Sequence, residues 1–116
     1  MKTASFFAFT GPGRISIARF PPRGTPAGFR VYRALAPGPW FKSVDEAEYR
    51  RRYAAQLASL DPRHTWDELH ALWGHDEPVL RCWERKADLD ADRTFCHRRI
   101  VAEWFAKRLG ECVDER

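Results

Sequence analysis

The chain has only three cysteines, Cys82, Cys96 and Cys112, and no two of them form a CxxC pair. An odd, widely spaced set argues against a secreted disulfide framework. The missing CxxC leaves no zinc ribbon and no thioredoxin-type site. Free thiols in a reducing compartment are the expectation. No apolar run reaches the about 18 residues of a membrane span. Residues 1–9 hold one Lys and too short an apolar stretch for a signal peptide. The cytoplasm is therefore the expected location. Repeats and low-complexity segments are absent as well. Acidic residues are missing altogether from residues 1–43, where seven basic ones stand: Lys2, Arg14, Arg19, Arg23, Arg30, Arg33 and Lys42. Of the chain's 20 basic residues 13 are left for the remainder, against all 16 acidic ones, so the net charge of +4 arises in the N-terminal third.

What is present fits one globular domain over residues 1–116. The length, 116 residues, leaves no room for a second core, and 14% aromatic residues are too many for a disordered chain. Sixteen of the 20 basic residues are Arg, whose planar fork suits bidentate anion binding. The acid-free third reads as a surface for phosphates or nucleic acid, with solvated strand faces as the alternative.

Gly and Pro punctuate the first third. Residues 5–9, 14–20 and 29–35 read as strands, separated by Thr10-Gly11-Pro12-Gly13 and by the Pro-rich stretch 21–28. The period then changes. Ser43 with Glu46 forms a capping box that opens a helix through Tyr49, Tyr53 and Leu57, closed by Asp61-Pro62. Thr65 with Glu68 reads as a second box, opening a short helix that ends at Gly74. Residues 78–84 read as a strand, 85–93 as a polar loop, and 95–109 as a last helix capped by Thr94 and stopped by Gly110. The expected fold class is α/β: a small, partly parallel sheet with about three helices packed on it.

Candidate chemistry concentrates between the last strand and the last helix. In open α/β sheets, ligands bind beyond the carboxyl ends of strands, beside helix N-termini. Cys82 and Glu84 stand at such a strand end. Cys96, His97, Arg98 and Arg99 stand at the start of the following helix, where orphan amides and the dipole attract anions and activate thiols. The catalytic candidates are Cys96, His97 and Glu84. Arg98, with Arg19, Arg23 and Cys82, would hold an anionic or nucleotide-type ligand. Neighbours on a helix diverge by about 100°, which separates Cys96 from His97 as a nucleophile–base pair. A metal site from Cys82, Glu84, Cys96 and His97 suits zinc or iron, although C-x-E-x11-C-H is no established zinc spacing. No C-x5-R phosphate loop is written here, and Asp88, Asp90 and Asp92 lack the Gly and Glu of a calcium loop. Trp40-Phe41 beside Lys42 is a stacking candidate for a base.

Leu80-Arg81-Cys82-Trp83-Glu84 followed by Cys96-His97-Arg98 resembles the DUF488 family, whose C-terminal signature is a strand reading LLC-aromatic-E and a helix opening with CHR. Only Thr10-Gly11 remains of the family's N-terminal Thr-Ile-Gly-His-like turn, with no His after it. The resemblance implies a compact α/β protein and no established reaction. Three functions stay open: an anion- or nucleotide-binding protein, a metal-dependent enzyme built on the Cys/Glu/His cluster, and a non-catalytic nucleic-acid-binding module.

Overall fold

A computed structural model describes all 116 residues. Five strands form one sheet: β1 (Lys2–Ser5), β2 (Arg14–Ser16), β3 (Arg30–Val31), β4 (Val79–Cys82) and β5 (Asp114–Glu115). Their order is β3-β2-β4-β1-β5, and every pairing is parallel. The expected α/β class is the one observed, and the sheet is parallel throughout. The Gly/Pro segments 10–13 and 21–28 carry the chain back to the starting edge of the sheet, as parallel pairing requires. Gly13 makes one such return: its φ is +88°, and its carbonyl accepts the Val79 amide at 2.7 Å.

Four helices accompany the sheet: α1 (Glu46–Ala58), α2 (Pro62–Ala71), the short α3 (Lys86–Asp90) and α4 (His97–Leu109). The about three helices expected are the three long ones. Segment 85–93 is not all loop, because α3 turns Leu89 into a buried position.

Local chemistry sets the helix ends. Asp45, not Ser43, caps α1, its carboxylate accepting the Glu48 amide at 2.9 Å. Asp61 caps α2 through the His64 amide at 3.0 Å, and Pro62 fills the first helical position, where no N–H is needed. Thr65 therefore lies inside α2 and bonds back to the Asp61 carbonyl at 2.8 Å. Cys96, not Thr94, is the residue before α4, and its backbone is extended (φ −141°, ψ 139°). Gly110 ends α4 in the left-handed conformation at φ 69°.

The main core lies on one face of the sheet. Ile15 and Leu80 are register partners there, and Ile17 continues the β2 row; Tyr49, Tyr53 and Leu57 of α1, Leu69 of α2, and Val101 and Phe105 of α4 cover them. Burying a side chain such as Phe105 contributes about 1.5–3 kcal/mol. Alternation sends Arg14, Ser16, Arg81 and Ala4 to the opposite face. Arg81 is wholly buried there: its guanidinium lies 4.6 Å from the Phe6 ring centroid, and Nη2 donates to the Phe6 carbonyl at 3.1 Å.

Candidate functional site

Strands β2 and β4 are neighbours, and the residues past their carboxyl ends share a cleft of about 470 Å³ with the start of α4. Ala18, Arg19 and Phe20 come from the β2 side, Trp83 and Glu84 from the β4 side. Phe95, Cys96 and His97 lead into α4, and Phe41, Lys42 and Tyr49 close the remaining wall. Cys82, buried at the last position of β4, reaches the cleft as well.

The structure brings Cys82, Glu84, Cys96 and His97 together. The Cys82 and Cys96 sulfurs are in direct contact. The two are therefore partners and not the independent thiols that their spacing suggested; Cys112 alone is free and exposed. Their Cα atoms are 7.3 Å apart, wider than the roughly 4.4–6.8 Å of bridged pairs. The two side chains reach toward one point from separate elements.

His97 also belongs to this point. Its Nδ1 is 3.8 Å from Cys96 Sγ. The 100° divergence expected for neighbours on a helix does not apply, because Cys96 is extended and stands outside α4. On the other side of the ring, Nε2 is 2.7 Å from the Ile17 carbonyl. A carbonyl only accepts, so Nε2 carries the proton and Nδ1 offers its lone pair to the thiols. Tyr53 packs edge-on against the ring at 5.5 Å. Burial, helped by the Arg98 charge, pulls the His97 pKa down to about 4 although the Ile17 bond opposes it. The ring is neutral at pH 7.

Glu84 is half-buried, and its Oε2 lies 3.4 Å from Cys82 Sγ. No α4 amide donates to this carboxylate. Burial raises its pKa, opposed by its own amide and by Arg98. Arg98 is wholly buried, with Nη1 donating to the Glu84 carbonyl at 2.6 Å and to Cys82 Sγ at 3.2 Å, and Nε to Glu115 at 3.2 Å. It braces the cluster from behind and does not line the cleft.

Of the other candidates, Arg19 is exposed at the cleft, with Nη1 donating to the Pro37 carbonyl at 3.3 Å. It also borders a second depression of about 290 Å³ shared with Arg33. Arg23 is exposed but lines neither, because the turn closed by Thr25 on the Pro22 carbonyl carries it outward. Sequence reading missed the Ile17 carbonyl, Tyr49 and Glu115. A main-chain group leaves no trace in a sequence pattern, and Glu115 lies outside every motif. Lys42 and Phe41 were signalled by their aromatic-basic pairing alone.

The CHR start of α4 and the Cys-Trp-Glu end of β4 thus meet in one cluster. Residues 10–109 match the family model DUF488-N3a, described as the active DUF488-N3 subclade. The chain belongs to the DUF488 family. No curated protein and no solved structure matches it. Within this DUF488 chain, the matched stretch runs from before β2 to the end of α4 and includes Cys82, Glu84, Cys96, His97 and Arg98. No helix is long and apolar enough to cross a membrane.

Proposed function

We propose that this DUF488 protein binds a flat, anionic ligand of nucleotide type in the cleft and presents it to the Cys/Glu/His cluster. One observation carries the reading: two cations of the acid-free third, Arg19 and Lys42, and the aromatic residues Phe20, Phe41, Trp83 and Phe95 line the same cleft as Cys82, Glu84, Cys96 and His97. Aromatic faces hold a planar base by stacking, worth about 1–3 kcal/mol per base. Arg19 and Lys42 hold its anionic group. The ligand then lies against Cys96, His97 and Glu84, the groups assigned to its chemistry. The description of the matched subclade as active supports an enzyme.

The cleft is favoured over a broad nucleic-acid-binding face because the basic third is partly consumed by the fold. Arg14 is buried, donating to the Pro26 and Ala27 carbonyls at 3.2 and 2.8 Å. Lys2 pairs with Glu77 at 3.5 Å, and Arg30 lies over the Trp73 ring at 4.6 Å.

Trp83 is about half exposed at the cleft, so its fluorescence reports occupancy. Titration with nucleoside mono- and diphosphates is expected to quench it saturably. Arg19→Ala and Lys42→Ala should each weaken binding, and Arg23→Ala should leave it unchanged. A titration with no saturable change for any nucleotide, or equal loss in all three variants, would refute the cleft. Tighter binding of a single-stranded oligonucleotide, lost in Arg23→Ala as well, would establish the nucleic-acid module instead.

A further inference from the structure

We infer that Cys82, Cys96 and His97 bind one thiophilic divalent cation of the zinc type at the floor of the cleft. The Sγ atoms of Cys82 and Cys96 and a ring nitrogen of His97 all lie within 4.8 Å of one another. Ligands about 2.0–2.3 Å from a tetrahedral zinc ion stand roughly 3.5–3.8 Å apart, so Cys96 Sγ and His97 Nδ1, at 3.8 Å, already have that spacing, and the two contacting sulfurs must part to reach it. Three further observations point the same way, each by a different route.

The first is the orientation of the imidazole. Metal-ligating histidines donate their other ring N–H to a carbonyl or carboxylate, which fixes ring and tautomer. His97 does this through Nε2 to the Ile17 carbonyl at 2.7 Å, leaving Nδ1 facing Cys96 Sγ at 3.8 Å. The second is the spacing of the cysteines. At 7.3 Å their Cα atoms are too far apart for an ordinary bridge, yet both sulfurs converge. An ion held by both sulfurs, once their direct contact opens, reconciles convergence with spacing. The third is charge. Two thiolates neutralise a divalent cation, and Arg98 Nη1, 3.2 Å from Cys82 Sγ, favours the thiolate form.

Three protein ligands leave a fourth position, as in catalytic rather than structural zinc sites. Cys82, Cys96 and His97 all border the cleft, so this position faces it. Glu84, 3.4 Å from Cys82 Sγ, stands beside it as a proton acceptor and not as a ligand. The family model and the cleft reading leave the ion unassigned, and ligand quenching of Trp83 is measured separately from it.

The test is titration of the reduced, chelator-treated full chain with cobalt(II), read by absorption. One equivalent is expected to bring thiolate-to-cobalt charge-transfer bands and the visible bands of a four-coordinate ion. Cys82→Ser and Cys96→Ser should each diminish the charge-transfer bands and weaken binding by more than the about 10–100-fold that outer-shell changes cost. His97→Gln should keep the charge-transfer bands, alter the visible ones and weaken binding. Cys112→Ser should change nothing. Circular dichroism of each variant verifies folding, and His97→Gln tests the site where a cysteine variant fails to fold. Zinc at one equivalent should bleach the cobalt spectrum. Folded protein without charge-transfer bands, or bands that depend on Cys112, would overturn the site. Recovery of a Cys82–Cys96 disulfide from protein kept under reducing conditions would overturn it too.

Discussion

Arg98 and Glu115 form an ion pair across 3.2 Å in which the guanidinium is wholly buried and the carboxylate is 15% exposed. The pair fastens β5 to α4. Arg99 reaches the same carboxylate at 2.6 Å, so one acid holds two neighbouring cations. Because Arg98 in turn bonds the Glu84 carbonyl and Cys82 Sγ, the C-terminal strand supports the cleft through one side chain.

Removing the acid strands the buried cation. Breaking a buried pair from one side costs about 3–5 kcal/mol. Glu115→Gln is expected near the low end, since its amide oxygen still accepts a hydrogen bond. The check is a urea midpoint at pH 7, with Glu111→Gln as the control on a nearby acid outside any ion pair. Equal midpoints for the two variants would refute the brace.

The same acid gives a pH dependence of definite sign. Burial alone raises the Glu115 pKa, but the bonds and charges of Arg99 and Arg98 outweigh it and leave the carboxyl below its ordinary 4.5. A carboxyl depressed by folding contributes stability that is complete above about 4.5 and is lost as pH falls through the lower folded value. Wild-type stability should therefore drop more steeply below pH 4.5 than that of Glu115→Gln. Parallel pH profiles would show that Glu115 is not held as the structure has it.

Much of the site was legible because its residues are local to two motifs. The Cys-Trp-Glu strand end and the Cys-His-Arg helix start announce themselves by type and spacing, and a parallel sheet brings them to the same end. What the motifs do not reveal is their mutual orientation. Cys96 looked helical because it adjoins a helix, whereas the extended cap turns its sulfur to His97 and Cys82. Arg98 looked free because its neighbours are polar, and its partner Glu115 sits on a two-residue strand with no readable alternation. The capping boxes misplaced two helix starts for a similar reason. Ser43 and Thr65 each precede a Glu by three residues, but Asp45 and Asp61 supply a charged acceptor, and Pro62 after Asp61 suits the first helical position.

Two glycines with similar backbone angles should respond differently to alanine. Gly13 has φ +88°, and a Cβ built there would stand 2.0 Å from the Glu77 carbonyl oxygen. Gly74 has φ +62° with nothing within 4 Å of its Cβ position. Gly74→Ala carries only the left-handed penalty, about 1–2 kcal/mol. Gly13→Ala adds a clash with backbone that cannot move without breaking the β2–β4 pairing. Thermal midpoints should separate the two, with Gly13→Ala much lower or unfolded. Similar midpoints would show that the β2 return is not fixed by this close approach.

The third thiol offers a test of burial and local charge together. Cys82 is 0% exposed and Cys96 4%, whereas Cys112 lies exposed past the end of α4. A helix N-terminus activates a thiol, but burial keeps Cys96 away from reagent. Iodoacetamide at pH 8 should label Cys112 in the native chain and leave the buried pair unmodified. Its rate should be slow for an exposed thiol, because the hydrogen bond to Asp114, 3.4 Å away, and the charge of that carboxylate raise the Cys112 pKa. Alkylation needs the thiolate, so lowering the pKa speeds the reaction. Asp114→Asn removes the charge and should accelerate labelling severalfold at pH 8, an advantage that disappears at pH 11, where both thiols are ionised. Residue-resolved mass spectrometry follows the three sites separately. An unchanged Cys112 rate in Asp114→Asn would remove the electrostatic explanation, and early labelling of Cys96 would show that its burial against Cys82 does not hold in solution.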